Sequence, residues 1–122
     1  MSYESVVSVE SRVAEGVSFE IARMSFGRRV ELMRRVRELA RRMEFLEAGN
    51  APGEKMEAAL LQAEIDRLYL IWGLRGVSGL DVDGAPATPE TLADRGPEGL
   101  FREALTAVRA ETGLSEEQRK NS

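Results

Sequence analysis

The side chains able to do chemistry in this chain are carboxylates, arginines, hydroxyls and two lysines, because histidine and cysteine are both absent. Their absence removes the usual general base near neutral pH, thiolate nucleophiles, disulfides and every nitrogen or sulfur zinc site. Ser25 and Ser115 stand where helix caps are expected, with no imidazole to activate a hydroxyl, so nucleophilic catalysis has no starting point. Asp81 and Asp83 beside Gly84 place alternate carboxylates in a tight turn, yet Ala85, Ala87 and Pro89 fill the next alternate positions of what would be a calcium loop. The pair therefore reads as turn-forming. No phosphate-cradling glycine loop occurs. With no catalytic, metal or cofactor set to assign, the sequence points away from an enzyme and towards a protein that works by binding.

Two sets of residues could carry binding. Arg28, Arg34, Arg35, Arg37, Arg41 and Arg42 fall along the edges of one helical segment. They interleave with Glu31 and Glu38, so Glu31–Arg35 and Glu38–Arg42 pairs are expected at i,i+4. That pattern favours a solvated face over a phosphate-binding one. The second set is apolar. In the next helical segment Leu61, Ile65, Leu68 and Trp72 form one arc, bordered by Ala58 and Tyr69, while Met56, Leu60, Ala63, Leu70, Ile71 and Leu74 form an opposite one. A helix apolar on two faces must be covered on both. Trp72, with Tyr69 and Leu68, reads either as a core anchor or as a partner-binding anchor.

The elements that would position these residues follow from periodicity and punctuation. Alternating Val7, Val9 and Val13, then Val17, Phe19 and Ile21 after Ala14-Glu15-Gly16, predict a β-hairpin within 5–22. Ser25 opens a helix predicted over 25–48, with Leu32, Val36, Leu39, Met43 and Leu46 as its stripe, widened by Ala40, Met33 and Phe26. Gly49-Asn50-Ala51-Pro52 ends it. A second helix over 54–74 would fold back on the first as an αα-hairpin. Three glycines and a proline predict a loop over 75–87 with an Asp83-Gly84 turn. Thr88-Pro89-Glu90 caps a short helix over 89–95, and Leu100, Phe101, Ala104, Leu105 and Val108 form the stripe of another over 97–112. A frayed turn is expected over 115–122. The class is mainly α with a small N-terminal β-hairpin.

The 122 residues suit one domain, and 43% hydrophobic with 31% charged residues is ordinary globular composition. The net charge of −4 conceals a basic centre, with seven arginines against four acids in 25–48. An acidic whole argues against general nucleic-acid binding, whose footprint is a strongly basic domain. The longest apolar stretch, Leu68 to Leu74, is far short of the ~20 residues that span a bilayer. With no basic-then-apolar leader at the N-terminus, a cytoplasmic location is the expectation.

Several stretches together resemble the small tail assembly chaperones of tailed phages and prophages. They are Met24-Ser25-Phe26-Gly27-Arg28-Arg29, Leu68-Tyr69-Leu70-Ile71-Trp72-Gly73-Leu74, Gly79 to Leu92, Gly96-Pro97-Glu98 to Leu105, and Leu114 to Asn121. The resemblance implies a mostly helical, non-enzymatic protein that coats the nascent tape measure protein, keeps it soluble, helps recruit tail tube subunits and leaves the finished tail. It implies no catalytic residues and no cofactor. Lys120-Asn121 is compatible with a slippery heptamer, as expected for a frameshift-extended second form. The bare residues also admit a virion structural protein of the baseplate or tail-completion kind, or a nucleic-acid-binding regulator using the arginine-rich helix. Self-association is expected wherever an apolar arc is left uncovered.

Overall fold

The computed structural model describes residues 1–49 and 51–112. Strands β1 (Val6–Glu10) and β2 (Ser18–Ala22) pair antiparallel, with Val6 opposite Ala22 and Glu10 opposite Ser18. Alternation along β2 sends Phe19 and Ile21 to the same face, and both are completely buried. Gly16 closes the connection at φ 83°, a left-handed conformation that costs glycine nothing.

Helices α1 (Phe26–Glu47) and α2 (Pro52–Gly73) form the expected αα-hairpin. Ser25 caps α1, its side chain accepting from the Arg28 N–H at 3.3 Å. Thr88 and Thr91 cap helix α3 (Pro89–Arg95) reciprocally, each side chain accepting from the other's backbone N–H. Helix α4 (Glu98–Thr112) buries Leu100, Ala104, Leu105 and Val108.

The loop expected over 75–87 is corrected by the structure. Leu74–Ser78 is a third strand, β3, pairing antiparallel with the free edge of β2. Its glycines hid it. Gly76 stands opposite Glu20 while Leu74 stands opposite Ile21, so Arg75 is an extra residue at an irregularity in the ladder. Gly79, at φ 80°, lies so close to the Gly16 carbonyl that a Cβ would collide with it. Beyond it, β4 (Asp81–Val82) and β5 (Ala85–Pro86) form a minimal hairpin. Asp83 and Gly84 are its two turn residues, both at positive φ, which matches the Asp-Gly signal and the twist of a two-residue turn. The Asp83 carboxylate accepts from Arg95 at 2.8 Å, tying this turn to α3.

The core lies at one end of the molecule. Val17, Phe19 and Ile21 meet Leu70 and Leu74 from the α2–β3 junction, Leu92 from α3, and the α4 stripe. Gly73 allows α4 to approach α2 closely, since a Cβ there would sit 2.4 Å from Val108 Cγ1. The frayed turn expected over 115–122, with Lys120-Asn121, lies outside the described residues.

Candidate functional site

The nine apolar residues singled out on the second helix separate into three groups. Leu70 and Leu74 are buried in the core against β2 and α4, so this fold removes them from any partner surface. Leu68, Tyr69, Ile71 and Trp72 are half-buried. Met56, Leu60 and Ala63, nearer the start of α2, are exposed, with 69% of Met56 and 58% of Leu60 open to solvent. One arc thus has two fates. Its C-terminal half is covered by the sheet and α4, while its N-terminal half extends past them.

Trp72 is not an open anchor. The guanidinium of Arg28 lies 4.5 Å from its ring centroid and that of Arg35 5.2 Å away, and Arg28 also donates to the Trp72 carbonyl. Tyr69 is covered in the same manner by Arg109, at 4.6 Å. The basic face is therefore divided in its duties. Glu31 pairs with both Arg34 and Arg35, at 3.2 and 3.4 Å, whereas no Glu38–Arg42 bridge forms among the described residues. Arg37, Arg41 and Arg42 are exposed.

The largest departure from expectation is on α1. Only Leu32 of its 22 residues is fully buried, because α2 is the one element among the described residues that it packs against extensively. Phe26 and Met33, expected to widen the core stripe, are exposed instead, Phe26 by 83%. With Val30 they run at i, i+4 and i+7 along a stripe of their own. These three and Arg29, Arg34 and Arg37 line an open groove of about 390 Å³. A second groove of about 450 Å³ is lined by Arg41, Arg42, Phe45, Leu46 and Glu57. Phe45 is 80% exposed there. The spacing of Phe26, Val30 and Met33 was available in the sequence, but adjacency to the main stripe disguised it as core.

Sequence reasoning also passed over Asp66. It is 93% buried, being only 7% exposed, yet both its oxygens are engaged. Arg102 donates to Oδ2 and Arg109 to Oδ1, each at 2.9 Å, and Gln62 donates to Oδ1 at 3.0 Å. Charge-assisted bonds of this kind offset the desolvation of a buried carboxylate. The signal was the seven-residue spacing of Arg102 and Arg109, two turns apart on one face of α4. Every oxygen is occupied by a cation, so Asp66 is a clamp between α2 and α4 rather than a free base.

Glu103 forms a second clamp. It accepts from Ser11 Oγ at 2.5 Å and from the Arg12 N–H at 2.7 Å, while Ser11 Oγ in turn accepts from the Val13 and Ala14 N–H groups. Burial works against its charge, but the bonds from Ser11 and the Arg12 and Val13 backbone, with the Arg12 charge, outweigh it and hold its carboxyl below the ordinary glutamate value.

No family model, curated protein or solved structure matches this chain. Among the described residues no helix is long and apolar enough to cross a membrane, and no cluster of three or more potential metal ligands occurs. The chemistry on offer is that of apolar stripes rimmed by arginine.

Proposed function

We propose that this chain is a non-enzymatic tail assembly chaperone of a tailed phage or prophage, which binds the tape measure protein and aids tail tube assembly in the host cytoplasm. The observation that carries the reading is the exposed Phe26–Val30–Met33 stripe and its groove, flanked by Arg29, Arg34 and Arg37. A long helical client exposes amphipathic segments before its tube assembles. Such a segment can lay apolar side chains at i, i+3/i+4 and i+7 onto this stripe while its acidic residues meet the arginines. The acidic remainder of the chain keeps the complex soluble. The resemblance supplies the client's identity, and the groove supplies the chemistry.

Co-expression with the tape measure protein of the same gene cluster tests this. A soluble complex is expected, lost on the double substitution Phe26→Ser with Met33→Ser. A client that stays equally insoluble with and without this chain overturns it. Two other readings rest on the same surfaces. Persistence of the chain in purified tails would support a virion structural protein instead. The exposed Arg37, Arg41 and Arg42 are the one feature favouring a nucleic-acid regulator, whose mark would be binding that weakens steeply with salt.

A further inference from the structure

The sheet is finished on one side only. β2 is its central strand and β3 is bordered by α3, whereas β1 packs extensively, among the described residues, against β2 alone. The ladder fixes which groups stand on the open edge of β1. Hydrogen bonds from the Ser11 N–H to the Val17 carbonyl and from the Arg23 N–H to the Ser5 carbonyl, both 2.8 Å, continue the β1–β2 register at either end. Bonded and unbonded pairs alternate in an antiparallel ladder, so Ser5, Val7, Val9 and Ser11 turn their backbone towards β2. Val6, Ser8 and Glu10 turn theirs away, presenting a row of N–H donors and carbonyl acceptors to a further strand.

Natural edges are guarded by proline, lysine, a bulge or an inward-pointing charge. β1 has none of these. Its pairing with β2 runs without irregularity, and its one charge, Glu10, stands at the strand's end on the face away from the core. Val7 and Val9 face the core yet are only half-buried, because nothing flanks them on the open side.

The sequence of β1 matches itself in one register. Laid antiparallel on a second copy with Ser8 opposite Ser8, it sets Val7 against the copy's Val9 and Val9 against the copy's Val7, both on the core-facing side. Glu10 then stands opposite Val6, and all the outward backbone groups fall into bonded pairs. A shift of the axis to Val7 leaves one valine pair and opposes Glu10 to Glu4. A shift to Val9 also leaves one, and sets Val7 against Ser11, whose hydroxyl is already held by Glu103. Matching of the half-buried face selects the register.

We propose that β1 is a self-association edge, on which two copies join through an antiparallel β1–β1 pair about a two-fold axis perpendicular to the sheet at Ser8. The two three-stranded sheets become one of six strands. This pairing does not rest on the chaperone reading.

Sedimentation equilibrium of the full chain across a concentration series is the first test. A dimer is expected, with its dissociation constant raised at least ~10-fold by Ser8→Pro. That substitution removes an N–H from the open edge and spares the β1–β2 ladder, and circular dichroism checks that the variant is folded. The second test is geometric and uses the absence of cysteine from the chain. Ser8→Cys puts both thiols in one bonded pair, ~5.5 Å between Cα atoms, and oxidation yields a disulfide-linked dimer. Glu10→Cys sets its thiols roughly 14 Å apart and yields none under the same conditions. In the natural chain the Val6, Ser8 and Glu10 amides gain hydrogen-exchange protection as concentration rises. A chain that stays monomeric at ~100 μM, an open-ended assembly, a dimer that Ser8→Pro leaves intact, or equal crosslinking of the two cysteine variants overturns the proposal. So does a monomer whose β1 amides are protected only by a strand of another protein. β1 contributes nothing to the lining of the Phe26 groove, so the Phe26→Ser, Met33→Ser variant keeps the dimer, and loss of client binding and loss of pairing are read separately.

Discussion

The base of the molecule and its arm are built from the same helices but solve burial differently. In the base, α2 is enclosed by β2, β3 and α4, and its polar contacts there are clamped by Asp66 and its two arginines. In the arm, the part of the αα-hairpin beyond the sheet and α4, the same helix packs among the described residues against α1 and leaves Met56 and Leu60 exposed. A helix apolar on two faces thus needs two covering layers along its whole length, and this chain supplies the second for only half of it. The uncovered half adds exposed apolar surface to that of the Phe26–Val30–Met33 stripe.

That contrast is sharpest for core truncation. Phe19→Ala removes a completely buried ring from the centre of the base and is expected to cost about 3–5 kcal/mol in urea unfolding. A loss this large would take much of the ~5–15 kcal/mol typical of a domain. Asp66→Ala comes next, at roughly 2 kcal/mol by the same measurement. It breaks three hydrogen bonds to one carboxylate, but the half-exposed arginines recover water. Thr88→Ala, which breaks the reciprocal cap of α3, is expected to cost about 1 kcal/mol.

Glu103 gives a smaller effect with a definite sign. Because its folded carboxyl titrates below the ordinary value of 4.5, the stabilisation is complete above that pH and is lost as pH falls through the folded value. Melting temperature measured from pH 6 downwards should therefore fall less steeply for Glu103→Gln than for the natural chain. An equal slope would show that the Ser11 clamp contributes nothing. The smallest change is expected in the arm. Phe45→Ser, at a side chain 80% exposed, should alter unfolding free energy by no more than ~0.5 kcal/mol. A cost comparable to that of Phe19→Ala would mean that the arm is already covered within one chain, and the contrast would fail.

How far the sequence disclosed this arrangement depended on whether the information was local. Ser25, Thr88-Pro89 and Asp83-Gly84 specify caps and a turn within a few residues, and each performs the expected task. The two-faced second helix was also legible, as was the mainly α fold. Strand β3 was not, because Gly76 and Gly79 weaken its alternation and its pairing partner lies over fifty residues away. Which half of the Met56-to-Leu74 arc would be covered depended on where α4 lands, a tertiary fact. Asp66 was equally hidden, since nothing local distinguishes a buried glutamine-paired acid from any helical carboxylate until Arg102 and Arg109 arrive from α4.

The junction between Gly73 and Leu74 has a mechanical consequence. α2 ends and β3 begins at adjacent residues, with no intervening linker, and Leu74 is paired to the middle strand while also packed in the core. The hairpin is thus a lever welded at its fulcrum: a load at its tip cannot be absorbed by a swivel and must arrive as torque on the sheet. Anything that seizes the tip should register as altered amide hydrogen exchange in β2 and β3, far from where it holds on.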